Sequence, residues 1–227
     1  MGKRFYFILL AIDVIPDYVS SLEFLSLKLF FQEEKMGLDI YQKSVYLTIF
    51  NETMIMRVIG KMLPNGEKKS FKKRLFEEIE NLIDKMDNHK LKEKDILCSI
   101  DTISKKFVIP FGLAQKPINT ILKYHFYLFY SRNNQNVECM KKQLHCPLDS
   151  VVLNELIKES KKKQKCERLV ELIKKIKNKE NKLRITNIDK CTYLKIQRCL
   201  EIISEDGMKI SFDRIWDKKH LEDAGIL

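Results

Sequence analysis

Two lysines, two side-chain amides and one acid have the spacing that chemistry needs. In "FGLAQKPINTILKYHFYLFY", residues 111–130, Gln115, Asn119 and Lys123 recur every fourth residue, with Lys116 beside them. On a helix these positions share one face. The remaining positions are mostly Ile, Leu, Phe and Tyr, so the helix is expected to be central, with its polar stripe turned to a cleft or a partner group. A lysine held there loses hydration. Desolvation and a neighbouring cation such as Lys123 both favour the neutral, nucleophilic amine. The same pattern also suits a Lys116 exposed at a helix start and a Lys123 that snorkels to the surface. Further along, "LHCPLDSVV" offers Asp149, a carboxylate able to shuttle a proton or stabilise a developing cation. An N-cap role would by itself account for an acid just ahead of Val151.

Helices must position these groups. With 227 residues, 44% apolar content and only 7 Gly and 5 Pro, the chain reads as folded and helix-rich. Residues 5–12 suit a short strand or a first buried turn, and helices are expected over about 17–31 and 39–62. The clearest lies at about 69–88, where Phe71, Leu75, Phe76, Ile79, Leu82, Ile83 and Met86 form one face. A short helix near 94–104 precedes the aromatic one, which runs to about Tyr130 before the polar loop "SRNNQNVE". Another starts near Asp149 or Ser150 and continues, itself or through a successor, to about Asn178. Thr186 and Asp189 read as a capping box for a helix over 189–204 that Gly207 stops. The end, "KISFDRIWDKKHL", reads as an extended piece and a last helical turn. The expected fold is therefore all-α or mostly α, one multi-helix globular domain over 1–227, with possible lobes 1–105 and 106–227.

Charge and cysteine usage narrow the partners. The formal net charge is +11, and residues 151–200 hold 15 Lys+Arg against 6 Asp+Glu. Such an excess suits nucleic acid, although a biased composition also accounts for it. The run "KESKKKQK", with Lys161, Lys162 and Lys163, is either a solvated face or a phosphate-tracking one. Six cysteines lack CxxC pairs and zinc spacing, and the four histidines lack metal-ligand spacing, so no metal or cofactor is expected. Free thiols fit a reducing cytoplasm. Lys3 and Arg4 precede an apolar run, but Asp13 and Pro16 interrupt it and no cleavage site follows; neither export nor a membrane span is expected. Adjacent His145 and Cys146 make a poor nucleophile pair, because neighbours on an irregular segment rarely face each other.

Gly112-Leu113-Ala114-Gln115-Lys116, preceded by Ile109-Pro110 and followed by a helix, resembles the hairpin of the helix-hairpin-helix DNA glycosylases, with Asp149 in the place of their following acid. The long Lys-to-Asp separation and the second lysine one heptad on are more similar to the archaeal 8-oxoguanine glycosylase branch. Asp213 and Trp216 in "FDRIWD" are similar to the acid and Trp with which that branch holds a flipped base. Ala114 departs from the second hairpin glycine, and Pro117 directly follows the lysine. The resemblance implies extrusion of a damaged or modified base from duplex DNA, attack of Lys116 on the sugar C1′, and Asp149 as proton carrier or cation stabiliser. It further implies Gln115, Asn119, Asp213 and Trp216 as base contacts, and Gly112, Lys123 and Lys161–Lys163 as DNA contacts. A monomeric, cytoplasmic DNA glycosylase is the leading expectation, acting in base-excision repair or against foreign modified DNA. It either has lyase activity through Lys116 or uses Asp149 to activate water, with Lys116 only positioning. The alternatives are a non-catalytic helical nucleic-acid-binding protein and a helical interaction protein.

Overall fold

The computed structural model describes residues 44–49, 55–64, 66–131, 136–163 and 184–214, with isolated positions 166, 172, 176 and 218. The strand or turn expected at 5–12, the helix at 17–31, the extension of the basic helix towards 178, Trp216 and the last turn lie outside them. Among the described residues the protein is all-α, without a strand. No helix among them is long and apolar enough to cross a membrane.

The chain divides into two compact units, Met1–Ile49 and Phe50–Leu227. In the first, residues 44–49 are helical (α1), with Val45, Tyr46 and Ile49 buried. The second holds α2 (Ile55–Met62), α3 (Glu67–Asp87), α4 (Glu93–Lys106), α5 (Phe111–His125), α6 (Val137–Gln143), α7 (Ser150–Lys163) and α8 (Lys190–Ile203). α4 and α5 flank the lobe boundary expected near 105, yet they pack directly on each other within this unit.

Helix α3 buries the stripe read from its spacing, with one exchange. Phe76 is only half-buried, while Glu78 turns inward and accepts from Ser99 Oγ at 2.7 Å. α4 starts one residue before its expected position, and Lys92 N donates to Asp95 Oδ2 at 2.9 Å to close its first turn. Between α4 and α5 the chain turns through Val108, which is exposed and left-handed at φ 51, an uncommon place for a β-branched residue.

α5 is the central rod, buried at every position except Tyr124. It packs on α2, α3, α4 and α8. Pro117 lies in its second turn, beyond the first-turn place where proline costs nothing, so the Leu113 carbonyl loses its helical donor while Lys116 stays helical. The rod continues through a wide π-type turn, Phe126–Tyr130, and Tyr130 OH reaches His89 Nδ1 at 2.6 Å.

α6 overlaps the end of the expected polar loop "SRNNQNVE" and runs on to Gln143. It has seven residues and buries only Met140, too little for a periodic stripe to reveal. The expected Thr186–Asp189 capping box is not made: Asp189 is itself the N-cap of α8, accepting from Thr192 N at 2.7 Å, while Thr186 sits in a short 3-10 turn, Ile185–Asn187, facing Asn187. α8 ends at Ile203, before Gly207 reverses the chain at φ 67. "KISFD" is a 3-10 turn, Lys209–Asp213, against α8 rather than an extended piece.

Candidate active site

The site forms where the irregular segment His145–Leu148 crosses α5. Proline at 147 and flanking apolar residues keep this segment out of a helix, and all four residues are buried. Buried backbone must find partners. Gln197, on the inner face of α8, accepts from Cys146 N at 3.1 Å and donates to Cys146 O at 2.7 Å. Gln115 does the same for the next peptide, accepting from Leu148 N at 3.2 Å and donating to Leu148 O at 2.9 Å. Two side-chain amides thus replace the sheet neighbours that an extended segment would otherwise need.

This clamp delivers Asp149. Its Oδ1 caps α7 by accepting from Val152 N at 2.9 Å, and its Oδ2 accepts from Lys116 Nζ at 2.6 Å. The two side chains are 11% and 17% exposed, so the pair reaches the surface without being dissolved by it. One heptad along α5, Lys123 Nζ meets Asp213 Oδ2 at 2.7 Å with both side chains only 4% exposed, and lies 4.7 Å from the Tyr124 ring centroid. Lys123 neither snorkels nor stands beside Lys116 as an unneutralised cation; the 3-10 turn supplies its own carboxylate.

Cys146 lies within the field of both pairs. Burial first, then Asp213 and Asp149 against the two lysines, holds its thiol well above the usual range, so it stays neutral. His145 is turned away from it: Nδ1 meets Tyr193 OH at 2.7 Å and Nε2 meets Glu93 Oε1 at 2.6 Å. Burial pushes the imidazole below its usual value, against the pull of Glu93. The hydrogen bond from His145 foremost, with Lys209 at 2.7 Å, holds the Glu93 carboxyl down to about 2 despite its partial burial.

The expected stripe is therefore divided. Lys116 and Asp149 converge, as do Lys123 and Asp213. Gln115 is completely buried, and besides the Leu148 peptide it serves Asn119 Nδ2 at 2.8 Å and Gly112 O at 3.1 Å. With both amide hydrogens and both acceptor directions in use, it has nothing left for a base; its part is to hold the chain. Asn119 gives its other amide hydrogen to Tyr193 OH at 2.8 Å, while its Oδ1 has no hydrogen-bond partner among the described residues.

Gly112 is also taken by protein. Its N–H donates to Ile188 O at 3.0 Å, and a Cβ there would collide with the Ile185 carbonyl. The glycine expected to admit a phosphate instead admits the 185–188 turn. Lys161, Lys162 and Lys163 form the exposed end of α7; Lys162 lies 3.5 Å from Glu159, and Lys163 donates to Ile203 O at 2.9 Å. Trp216 lies outside the described residues.

Spacing arguments missed Glu93, His145, Tyr193 and Gln197. One signal existed: Tyr193 and Gln197 stand at i and i+4 on the apolar stripe of α8, where a polar group must meet another.

Comparison with protein-family models, curated proteins and solved structures finds no match for this chain. The site's own chemistry is thus the guide to its function. An amine with a carboxylate at hydrogen-bond distance can pass its proton to that carboxylate and attack an electrophilic carbon.

Proposed function

We propose that the protein is a lysine-dependent DNA glycosylase that excises a damaged or modified base in base-excision repair. The contact between Lys116 Nζ and Asp149 Oδ2 carries this reading, because it joins an amine and an acid from separate segments at a partly exposed position. Lys116 passes a proton to Asp149, and its nitrogen bonds to the sugar C1′. The C1′–base bond breaks, its electron pair leaves with the base, and the base takes up a proton. Asp149, having given its proton to the base, takes a second from the attached nitrogen and passes it to the ring oxygen as the C1′–O4′ bond breaks. This leaves an iminium with the Asp149 carboxylate beside it. The Lys123–Asp213 pair and Asn119 are buried, so an extruded base would meet the partly exposed Lys116–Asp149 pair first. The exposed lysines at the end of α7, with the net charge of +11, suit attraction to the DNA backbone.

The test is borohydride trapping on duplex DNA with an abasic site. Wild type is expected to form a covalent adduct that Lys116→Gln abolishes. Asp149→Asn retains the cap on α7, since Asn caps as well as Asp, and is expected to slow the reaction roughly a hundredfold or more. An adduct that survives Lys116→Gln would reassign the nucleophile, with Lys123 next. Salt-sensitive duplex binding without any adduct would favour a non-catalytic nucleic-acid-binding protein, a reading supported by the same basic helix end.

A further inference from the structure

The hydrogen-bond chain behind the lysine has a single direction. Asn119 Nδ2 can only donate, and its two hydrogens go to Gln115 Oε1 and the Tyr193 hydroxyl oxygen. At the other end Glu93, as a carboxylate, can only accept, so the His145 nitrogen facing it is the donor there. With burial disfavouring a second ring proton, Nδ1 is the acceptor and the Tyr193 hydroxyl gives it its hydrogen. His145 Nε2 then carries the ring proton and donates to Glu93 Oε1. Lys209 Nζ donates to the same oxygen and completes the far end. The near end is Gln115, which grips both polar atoms of Leu148, the residue before Asp149. Tyr193 is completely buried and links helices α5 and α8 with the His145–Leu148 segment.

We propose that Tyr193 is a positioning residue for the Lys116–Asp149 pair, acting through Asn119 and Gln115. Its oxygen fixes which way the Asn119 amide points, and Asn119 adds to the bonds that seat the Gln115 amide. Gln115 in turn fixes the peptide that carries Asp149 to Lys116. Without the hydroxyl, Asn119 has a buried N–H and His145 a buried nitrogen with no partner, so the Asn119 amide is free to rotate and its bond to Gln115 Oε1 weakens. The Asp149 carboxylate then spends less time at the lysine. The catalytic consequence rests on the glycosylase reading; the geometric one does not.

The test uses full-length wild type and Tyr193→Phe in two measurements. In single-turnover borohydride trapping on abasic-site duplex, Tyr193→Phe is expected to lower the rate constant roughly tenfold to a hundredfold, with duplex affinity within about twofold of wild type. In carbon-13 NMR of reductively methylated protein, with the Lys116 signal assigned through Lys116→Arg, Tyr193→Phe is expected to shift that signal towards the exposed lysines. Should Tyr193→Phe fail to fold, Asn119→Ser breaks the same link from the other side and is expected to behave alike.

A normal trapping rate in Tyr193→Phe overturns the positioning role and leaves the glycosylase reading intact. No adduct in wild type overturns the glycosylase reading, and the Lys116 signal then decides the positioning claim alone. A Lys116 signal unmoved by either variant overturns it.

Discussion

Asp149 divides its two oxygens between architecture and chemistry. One holds the first turn of α7, and the other is left for Lys116. The acid can therefore lose its charge without losing its place. The second pair is different in kind. With both side chains almost wholly buried, Lys123 and Asp213 have no water to fall back on, and removing one partner strands the other. Lys123→Met is expected to destabilise the fold by about 3–5 kcal/mol, whereas Lys123→Met combined with Asp213→Leu is expected to recover most of that loss. Urea unfolding of the two variants measures the difference. Equal losses in both would mean that the ion pair is not what Lys123 contributes.

At the scale of elements, α5 depends on how closely the 185–188 turn approaches it. Gly112→Ala places a methyl group against the Ile185 carbonyl and is expected to cost about 1–3 kcal/mol. Duplex affinity per folded molecule should stay unchanged; a selective loss of DNA binding by a stable Gly112→Ala protein would restore the phosphate-contact role. Much of this layer was legible beforehand. The stripe on α3 and the greasy rod at 111–130 both follow from local periodicity. The convergence of Lys116 with Asp149 was legible as a possibility, because only a few polar groups occupy otherwise apolar surroundings. What Gln115, Gly112 and His145 do was not, because each is set by a partner distant in sequence. Gln115 reads as a ligand until the Leu148 peptide is seen beside it. α6 stayed hidden because one buried methionine makes no pattern.

For the whole molecule, the chain from Asn119 to Glu93 contributes to the response to acid, beside carboxyls such as Asp206 that are also held low. His145 is held below its ordinary 6.5 by burial, and Glu93 is held at about 2 against an ordinary 4.5. In both cases the unfolded chain binds the proton more readily, so stability falls as pH falls. The His145 contribution begins to go below about pH 6.5, and the Glu93 contribution between about 4.5 and about 2. Denaturant unfolding followed from pH 7 to about pH 3 is expected to show both losses, and His145→Asn to flatten the upper one. A wild-type stability that rises on acidification would mean that His145 is already charged in the fold.

The wide turn at Phe126–Tyr130 bears on how the length of this rod can vary. A regular helix advances by about 100° per residue, and the wide turn absorbs one residue beyond that count. Deleting a single residue there would leave Lys116 and Lys123 untouched but swing every later side chain around the axis, parting Tyr130 from His89. A natural variant of this chain can therefore change length at that point only if the helices that receive Tyr130 change with it, which ties the far end of the rod to its neighbours more tightly than the reactive end.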